Sequence, residues 1–238
     1  MRVNSEEIIR LSKEVFLTSD IQKQKYNSLV GWIHEEDYTR LHPFFLTPID
    51  IKIDVEQFNK EIVAYNDFFE QWGNEHLHLP RYGLALVNQT GELHHNDPVN
   101  GSLYEYNLKN PNNPLLETDF NQETEVMDLP SLRPLKQFSN HWLRSNILFW
   151  KPGAHFKPHI DTVVPSPWIR LWGTTTDGIK LRYAVNDELV DTTEVEPGRL
   201  YLIDTSIVHD AICEDASGYQ FFLSCSTGLY GRLRRLII

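Results

Sequence analysis

Asn146-Ile147-Leu148-Phe149-Trp150-Lys151-Pro152-Gly153-Ala154-His155-Phe156-Lys157-Pro158-His159-Ile160-Asp161 is the stretch on which the reading of this chain turns. Its first part, from Arg144 to Trp150, has the length and apolar character of a strand, and Pro152-Gly153 marks a turn after it. Beyond the turn stand His159 and Asp161, two positions apart. On extended backbone, residues i and i+2 point to one face. A second segment repeats the arrangement. The turn Glu196-Pro197-Gly198 leads into the apolar run Leu200-Tyr201-Leu202-Ile203-Asp204, and His209 follows. Each half therefore carries its polar residues beside an apolar strand and behind a Pro-Gly turn.

Two imidazoles and one carboxylate in this spacing match the facial triad of non-heme Fe(II) oxygenases, in which three ligands on one side of the metal leave positions open on the other. A lone His-x-Asp pair is common, and its plain alternative is a surface pair with His209 as a strand-end histidine. The strand-and-turn context on both sides favours the metal.

Composition narrows the classes. The chain has 238 residues, 41% hydrophobic and 12% aromatic, which is globular rather than disordered. Its net charge of −11 disfavours nucleic acid as a partner. The basic cluster Arg232, Arg234 and Arg235 reads as a solvated tail. No apolar run approaches the roughly 18 residues of a membrane span, and Met1 to Glu7 lacks an apolar signal core. Cys213 and Cys225 are too few for a disulfide scaffold and lie in apolar strand contexts. They read as core residues of a cytoplasmic, reducing environment.

Along the chain, Asn4 or Ser5 caps a helix reaching about Phe16. Asp54 caps a second, with Val55, Phe58, Ile62, Tyr65, Phe68, Phe69 and Trp72 on one side, which Gly73-Asn74 ends. Gly83 to Asn88 reads as a buried strand, and His94-His95 to Pro114 as loop. Short strands follow at 144–151, 157–162, 168–174, 179–185, 199–204, 207–213 and 219–225. Hairpin signals stand at Thr174 to Gly178 and Val185 to Glu188. This spacing gives a sandwich or barrel. The expected organisation is one domain, 1–238, mostly β with helices: a helical N-terminal part, 1–80, packed on a β core, 81–238.

Over residues 80–228, and best over 144–225, the chain resembles the aspartyl/asparaginyl β-hydroxylase family, which includes free-proline hydroxylases. The matching segments are Ile147 to Gly153 with His159, and Pro197 to His209 with its Asp204-Thr205-Ser206. The resemblance implies a double-stranded β-helix, or jelly roll, with Fe(II) as cofactor and 2-oxoglutarate as cosubstrate. It implies hydroxylation of an amino acid, free or in a peptide. His159, Asp161 and His209 resemble the iron ligands. Some members lack the carboxylate, and this chain keeps it as Asp161. Arg170 resembles an arginine that contacts 2-oxoglutarate, and Arg182 a basic residue of the next hairpin.

One position departs. About ten residues after the distal histidine the family usually has an arginine that pairs with the far carboxylate of 2-oxoglutarate. Here Tyr219 offers one neutral donor instead of a charged fork. Either Arg170 or Arg182 takes over, or Tyr219 works with a donor such as Asn146, which alternation puts on one face with Leu148 and Trp150, or the cosubstrate differs. Trp150, Trp168 and Trp172 are expected as core or as cavity wall, and His155 as a residue that supports the ligands or meets substrate. Two alternatives stay open: a cupin-like metal protein, whose ligands are usually three histidines and a glutamate, and a non-catalytic jelly-roll binding module that has lost its cosubstrate site.

Overall fold

The computed structural model describes residues 1–16, 19–71, 80–95, 97, 100, 103–192 and 194–238. Six α-helices lie among them: α1 (Ser5–Phe16), α2 (Asp20–Asn27), α3 (Glu35–Leu41), α4 (Val55–Glu61), α5 (Leu103–Lys109) and α6 (Tyr230–Arg234). The strands are β1 (Leu46–Lys52), β2 (Glu70–Gln71), β3 (Arg81–Asn88), β4 (Gln122–Glu123), β5 (Ser145–Trp150) and β6 (His155–His159), followed by β7 (Trp168–Thr174), β8 (Ile179–Val185), β9 (Glu188–Asp191), β10 (Arg199–Ile203), β11 (His209–Cys213) and β12 (Gly218–Ser226). No described helix is long and apolar enough to cross a membrane.

The turns set the path. Gly153 and Gly198 adopt φ of 83° and 84°, the left-handed backbone that their Pro-Gly turns need. At Gly198 a Cβ would lie 2.4 Å from the Ile53 carbonyl oxygen, so only glycine fits. Asn186 and Asp187, at φ 50° and 63°, turn β8 into β9. From β5 onward the chain switches between two antiparallel sheets. β5, β7, β10 and β12 join a large sheet in the order β1-β10-β7-β12-β5-β3-β2, with β4 beside β3. β6, β8, β9 and β11 form a small sheet in the order β6-β11-β8-β9. This interleaving is a double-stranded β-helix, the jelly roll expected from sequence.

The large sheet is covered on both sides. Leu148, Trp150, Trp172, Tyr201 and Ile203 face the small sheet's Leu181, Ala211 and Cys213. Ile147, Leu171, Leu202, Phe221 and Leu223 pack outward on Phe58 and Ile62 and on Leu132, Leu135 and Phe138 of a 3-10 segment, Pro130–Phe138. All seven residues of β7 are therefore buried, and the strand reads as a continuous apolar run rather than an alternation. Cys213 and Cys225 are free and buried.

The N-terminal part is less helical than expected. β1 pairs with β10 and extends the large sheet, and β2 pairs with β3. The Asn4 side chain caps α1 by accepting from the Glu7 N–H at 3.1 Å, and Asp54 caps α4 through the Gln57 N–H at 3.0 Å. The helix expected to run on to Trp72 tightens into a 3-10 segment at Ile62–Phe68. Its apolar residues Ile62, Tyr65 and Phe68 step by three, the spacing that 3-10 geometry aligns. Trp72 and Gly73-Asn74 lie outside the described residues.

Candidate metal centre and its cavity

β6 and β11 are neighbours in the small sheet, and their register brings His159 opposite His209. Between those partners and the next pair, Phe156 opposite Ala211, β6 carries one residue more than β11. This bulge at Lys157-Pro158 resets the alternation. His155 faces outward, while Phe156 and His159 both face the interior. Regular alternation would have put His155 and His159 on one side.

The loop after β10 positions the remaining groups. The Asp204 carboxylate accepts from the backbone N–H and the hydroxyl of Ser206, at 3.0 and 2.5 Å, and so closes the turn before His209. The Thr205 carbonyl accepts the backbone N–H groups of Asp161 and Thr162 at 3.0 and 3.2 Å, and the Thr162 and Thr205 hydroxyls meet at 2.6 Å. The Asp-Thr-Ser motif thus ties Asp161, just beyond β6, to the strand end that carries His209.

Both imidazoles are fixed in one tautomer. His159 Nδ1–H donates to the Lys157 carbonyl at 2.7 Å and His209 Nδ1–H to that of Ile207 at 2.8 Å. A carbonyl only accepts, so each Nε2 is left with its lone pair. His159 Nε2 lies 3.3 Å from one Asp161 oxygen and His209 Nε2 3.6 Å from the other. His159 Nε2 is buried and makes no aligned hydrogen bond. Two donors at right angles, each about 2.1 Å from a metal, lie about 3 Å apart. The three donor atoms sit within 4.8 Å of one another, and the arrangement fits a divalent metal. Burial alone would raise the Asp161 carboxyl, but the facing imidazoles of His159 and His209 outweigh it and hold it well below the carboxylate range. Burial opposes charging His159, and Asp161 more than reverses this.

The triad opens on a cavity of about 490 Å³ between the sheets, within the range of small-molecule sites. Trp150, Trp168 and Trp172 line it, as do Gln220 and Phe222 of β12. The indole N–H groups of Trp150 and Trp172 and the Gln220 side-chain oxygen are buried with no hydrogen-bond partner. Ile8, Leu11 and Ser12 of α1, with Leu103 and Tyr104 of α5, also line it. The Ser12 hydroxyl accepts from the Ile160 N–H at 3.3 Å. The N-terminal part therefore shapes the site.

Of the other residues singled out in the sequence, Arg170 lines the cavity. Its Nη1 donates to Glu117 at 3.0 Å and to the Ser224 hydroxyl. Glu117 also pairs with Arg144, at 3.4 Å. Glu117 lies between the loop ending at Pro114 and the strand from Arg144, where no element was expected. Arg182 points away, its guanidinium forked onto Asp210 at 2.9 and 2.5 Å. His155 meets the same carboxylate at 2.8 Å. Asn146 is fully buried but does not line the cavity.

Tyr219 faces outward as well, its ring 5.0 Å from that of Phe149, 5.4 Å from Phe58 and 5.9 Å from Phe69. Its ladder partner is Phe149, whereas Gln220 is paired with the inward Leu148. Counting ten from the distal histidine therefore lands one residue away from the cavity face. Tyr219→Arg is accordingly expected to leave 2-oxoglutarate affinity unchanged and to lower stability by about 1–3 kcal/mol, since it drives a charge into an aromatic cluster. Calorimetric titration and thermal melts check both parts.

Fold and site together define the class: a double-stranded β-helix protein in which two histidines and one carboxylate are gathered so that they could hold a metal ion. No protein-family model matches the chain, nor does any curated protein. Among solved structures, a prolyl-4-hydroxylase from Pseudomonas putida overlaps 80% of this chain and 97% of its own, at 11% identity and a TM-score of 0.44. The ribosomal oxygenase YcfD from Escherichia coli overlaps 43% of this chain at 18% identity and a TM-score of 0.33. An oxalate oxidase in complex with glycolate overlaps 43% at 16% identity and a TM-score of 0.28. The match spans 28% of YcfD and 48% of the oxalate oxidase. These are distant overlaps.

Proposed function

We propose that this protein is an Fe(II)- and 2-oxoglutarate-dependent hydroxylase that acts on an amino acid or an amino-acid side chain. The observation that carries this reading is the convergence of His159, Asp161 and His209 on the wall of one cavity, with a buried Nε2 that makes no hydrogen bond. His159, Asp161 and His209 would hold the metal, and bound iron would supply the activation of dioxygen and the oxidation of the keto acid. The protein contributes the rest. The Lys157 and Ile207 carbonyls orient the imidazoles. Trp150, Trp172 and Phe222 keep bulk water from the reacting groups, and Gln220 offers a polar contact at the cavity wall. The Arg144–Glu117–Arg170 group carries one net positive charge and suits the carboxylate of an amino acid.

The deciding experiment is anaerobic titration of the Fe(II)-loaded protein with 2-oxoglutarate. A visible metal-to-ligand charge-transfer band is expected, followed in air by succinate formation. Stoichiometric metal binding with neither signal would favour the non-catalytic binding module, for which the lack of an arginine on the cavity face of β12 is the supporting observation.

A further inference from the structure

The arginines that line this cavity differ in what balances them. Arg144 and Arg170 share Glu117. Arg81 has no such partner. It opens β3, outside the interleaved strands of the barrel, and is 1% exposed. No described carboxylate forms an ion pair with it, and its Nε and Nη1 are buried without a hydrogen-bond partner. The contacts of its guanidinium are with rings, 4.9 Å to the centroid of Trp150 and 4.2 Å to that of Phe156. Burial lowers its pKa to about 9, so it remains charged at neutral pH. A buried guanidinium without an anion is costly, and its fork matches a carboxylate.

Its location adds the second part of the argument. In the ladder Arg81 is level with Trp150, and Trp150 with Gly218 at the start of β12. Arg170 is level with Ser224, six residues or about 20 Å further along that strand. The buried arginines of the cavity thus stand in two separate places. Arg81 is the one beside the first residues of β12, where Gln220 faces inward and no cation comes from β12 itself. It is also near the triad. The Phe156 ring it covers lies 4.0 Å from the ring of His159, and the Arg81 charge acts on both Asp161 and His159. Arg81 and the triad therefore line one cavity, within electrostatic reach of each other.

We infer that Arg81 anchors the distal carboxylate of the keto acid, so that β3 supplies the cation that β12 lacks. The inference rests on the 2-oxoglutarate reading and adds a specificity. The site should prefer 2-oxoglutarate to 2-oxopentanoate, which has the same chain length and ends in a methyl group.

The test compares both keto acids on wild type, Arg81→Met and Arg81→Lys. Binding is read by calorimetry on the Mn(II)-loaded protein and by the charge-transfer band of the anaerobic Fe(II) form. Wild type is expected to prefer 2-oxoglutarate by about ten- to a hundredfold. In Arg81→Met both ligands should bind with the wild-type affinity for 2-oxopentanoate, with metal stoichiometry intact. Arg81→Lys should restore part of the preference. Metal-free Arg81→Met should melt no lower than wild type, because an uncompensated buried charge has been removed. An Arg81→Met protein that retains the preference overturns the inference. So does one that melts several degrees lower and loses affinity for both ligands equally, which would make Arg81 structural. If wild type binds neither keto acid, the cosubstrate reading itself falls, and the inference with it.

Discussion

Replacing His209 with alanine is expected to weaken binding of Fe(II) or Mn(II) by more than about 100-fold. Loss of a group that only orients a metal ligand costs about 10–100-fold, and His209 is itself one of three donors. With it gone, His159 and Asp161 remain as a pair on one side of the site, and two ligands cannot define a facial set. His209 is 4% exposed, so water reaches its position poorly as a replacement ligand. His94→Ala is the control. His94 is exposed and lies in the loop after β3, and it belongs to no described metal-capable cluster. Metal titration of the two variants beside wild type decides the matter. Stoichiometric binding at micromolar metal by His209→Ala would remove His209 from the ligand set.

The strands that carry the site were legible because their signals are local. Pro152-Gly153 and Pro197-Gly198 each open a turn with a left-handed glycine. The runs Ile147 to Trp150 and Leu200 to Ile203 are apolar because both faces of the large sheet are covered. His159 and Asp161 were legible for a similar reason, since two positions on extended chain define one side. Less legible were elements whose existence depends on a partner. β1 is a strand because β10 offers it an edge, and β9 because Asn186-Asp187 folds it back on β8.

Orientation was harder to read than existence. A one-residue bulge in β6 turns His155 outward, and the pairing of Tyr219 with Phe149 hands the cavity face to Gln220. A slip of one residue reverses every side chain on a strand, and a count along the sequence cannot register it. Arg182 followed the same logic, sharing its strand with the inward Leu181 and facing the other way. Arg81 left one signal in the sequence: a charged residue at the head of the apolar run Leu84 to Val87. Glu117 left none, because the cations that give it meaning come from Arg144, just before β5, and Arg170 on β7.

That buried carboxylate gives the largest expected effect on stability. Glu117 lies between Arg144 and Arg170 at 3.4 and 3.0 Å, with all three side chains no more than 10% exposed. Glu117→Gln keeps the shape and removes the carboxylate charge that both guanidinium groups pair with. Breaking a buried ion pair from one side costs about 3–5 kcal/mol, because the charge left behind is uncompensated. Two charges of like sign are left here. In a chain of this size each kcal/mol lowers the melting temperature by about 2–4 °C, so a fall of roughly 6–20 °C is expected. The pH dependence follows from the carboxyl's shift. Burial would raise its pKa, but Arg170 and Arg144 more than reverse this, and the folded value lies below the ordinary 4.5. A depressed folded pKa stabilises the native state above the unfolded value, and that stabilisation is lost as pH falls through the folded one. The gap between wild type and Glu117→Gln should therefore be constant near neutrality and narrow only at pH values below about 4.5, as wild type gives up its carboxylate. Melting curves of both proteins from pH 3 to 8 measure it. A gap of under 1 kcal/mol at pH 7 would mean that water reaches the two arginines and that the group is solvated rather than sealed in the fold.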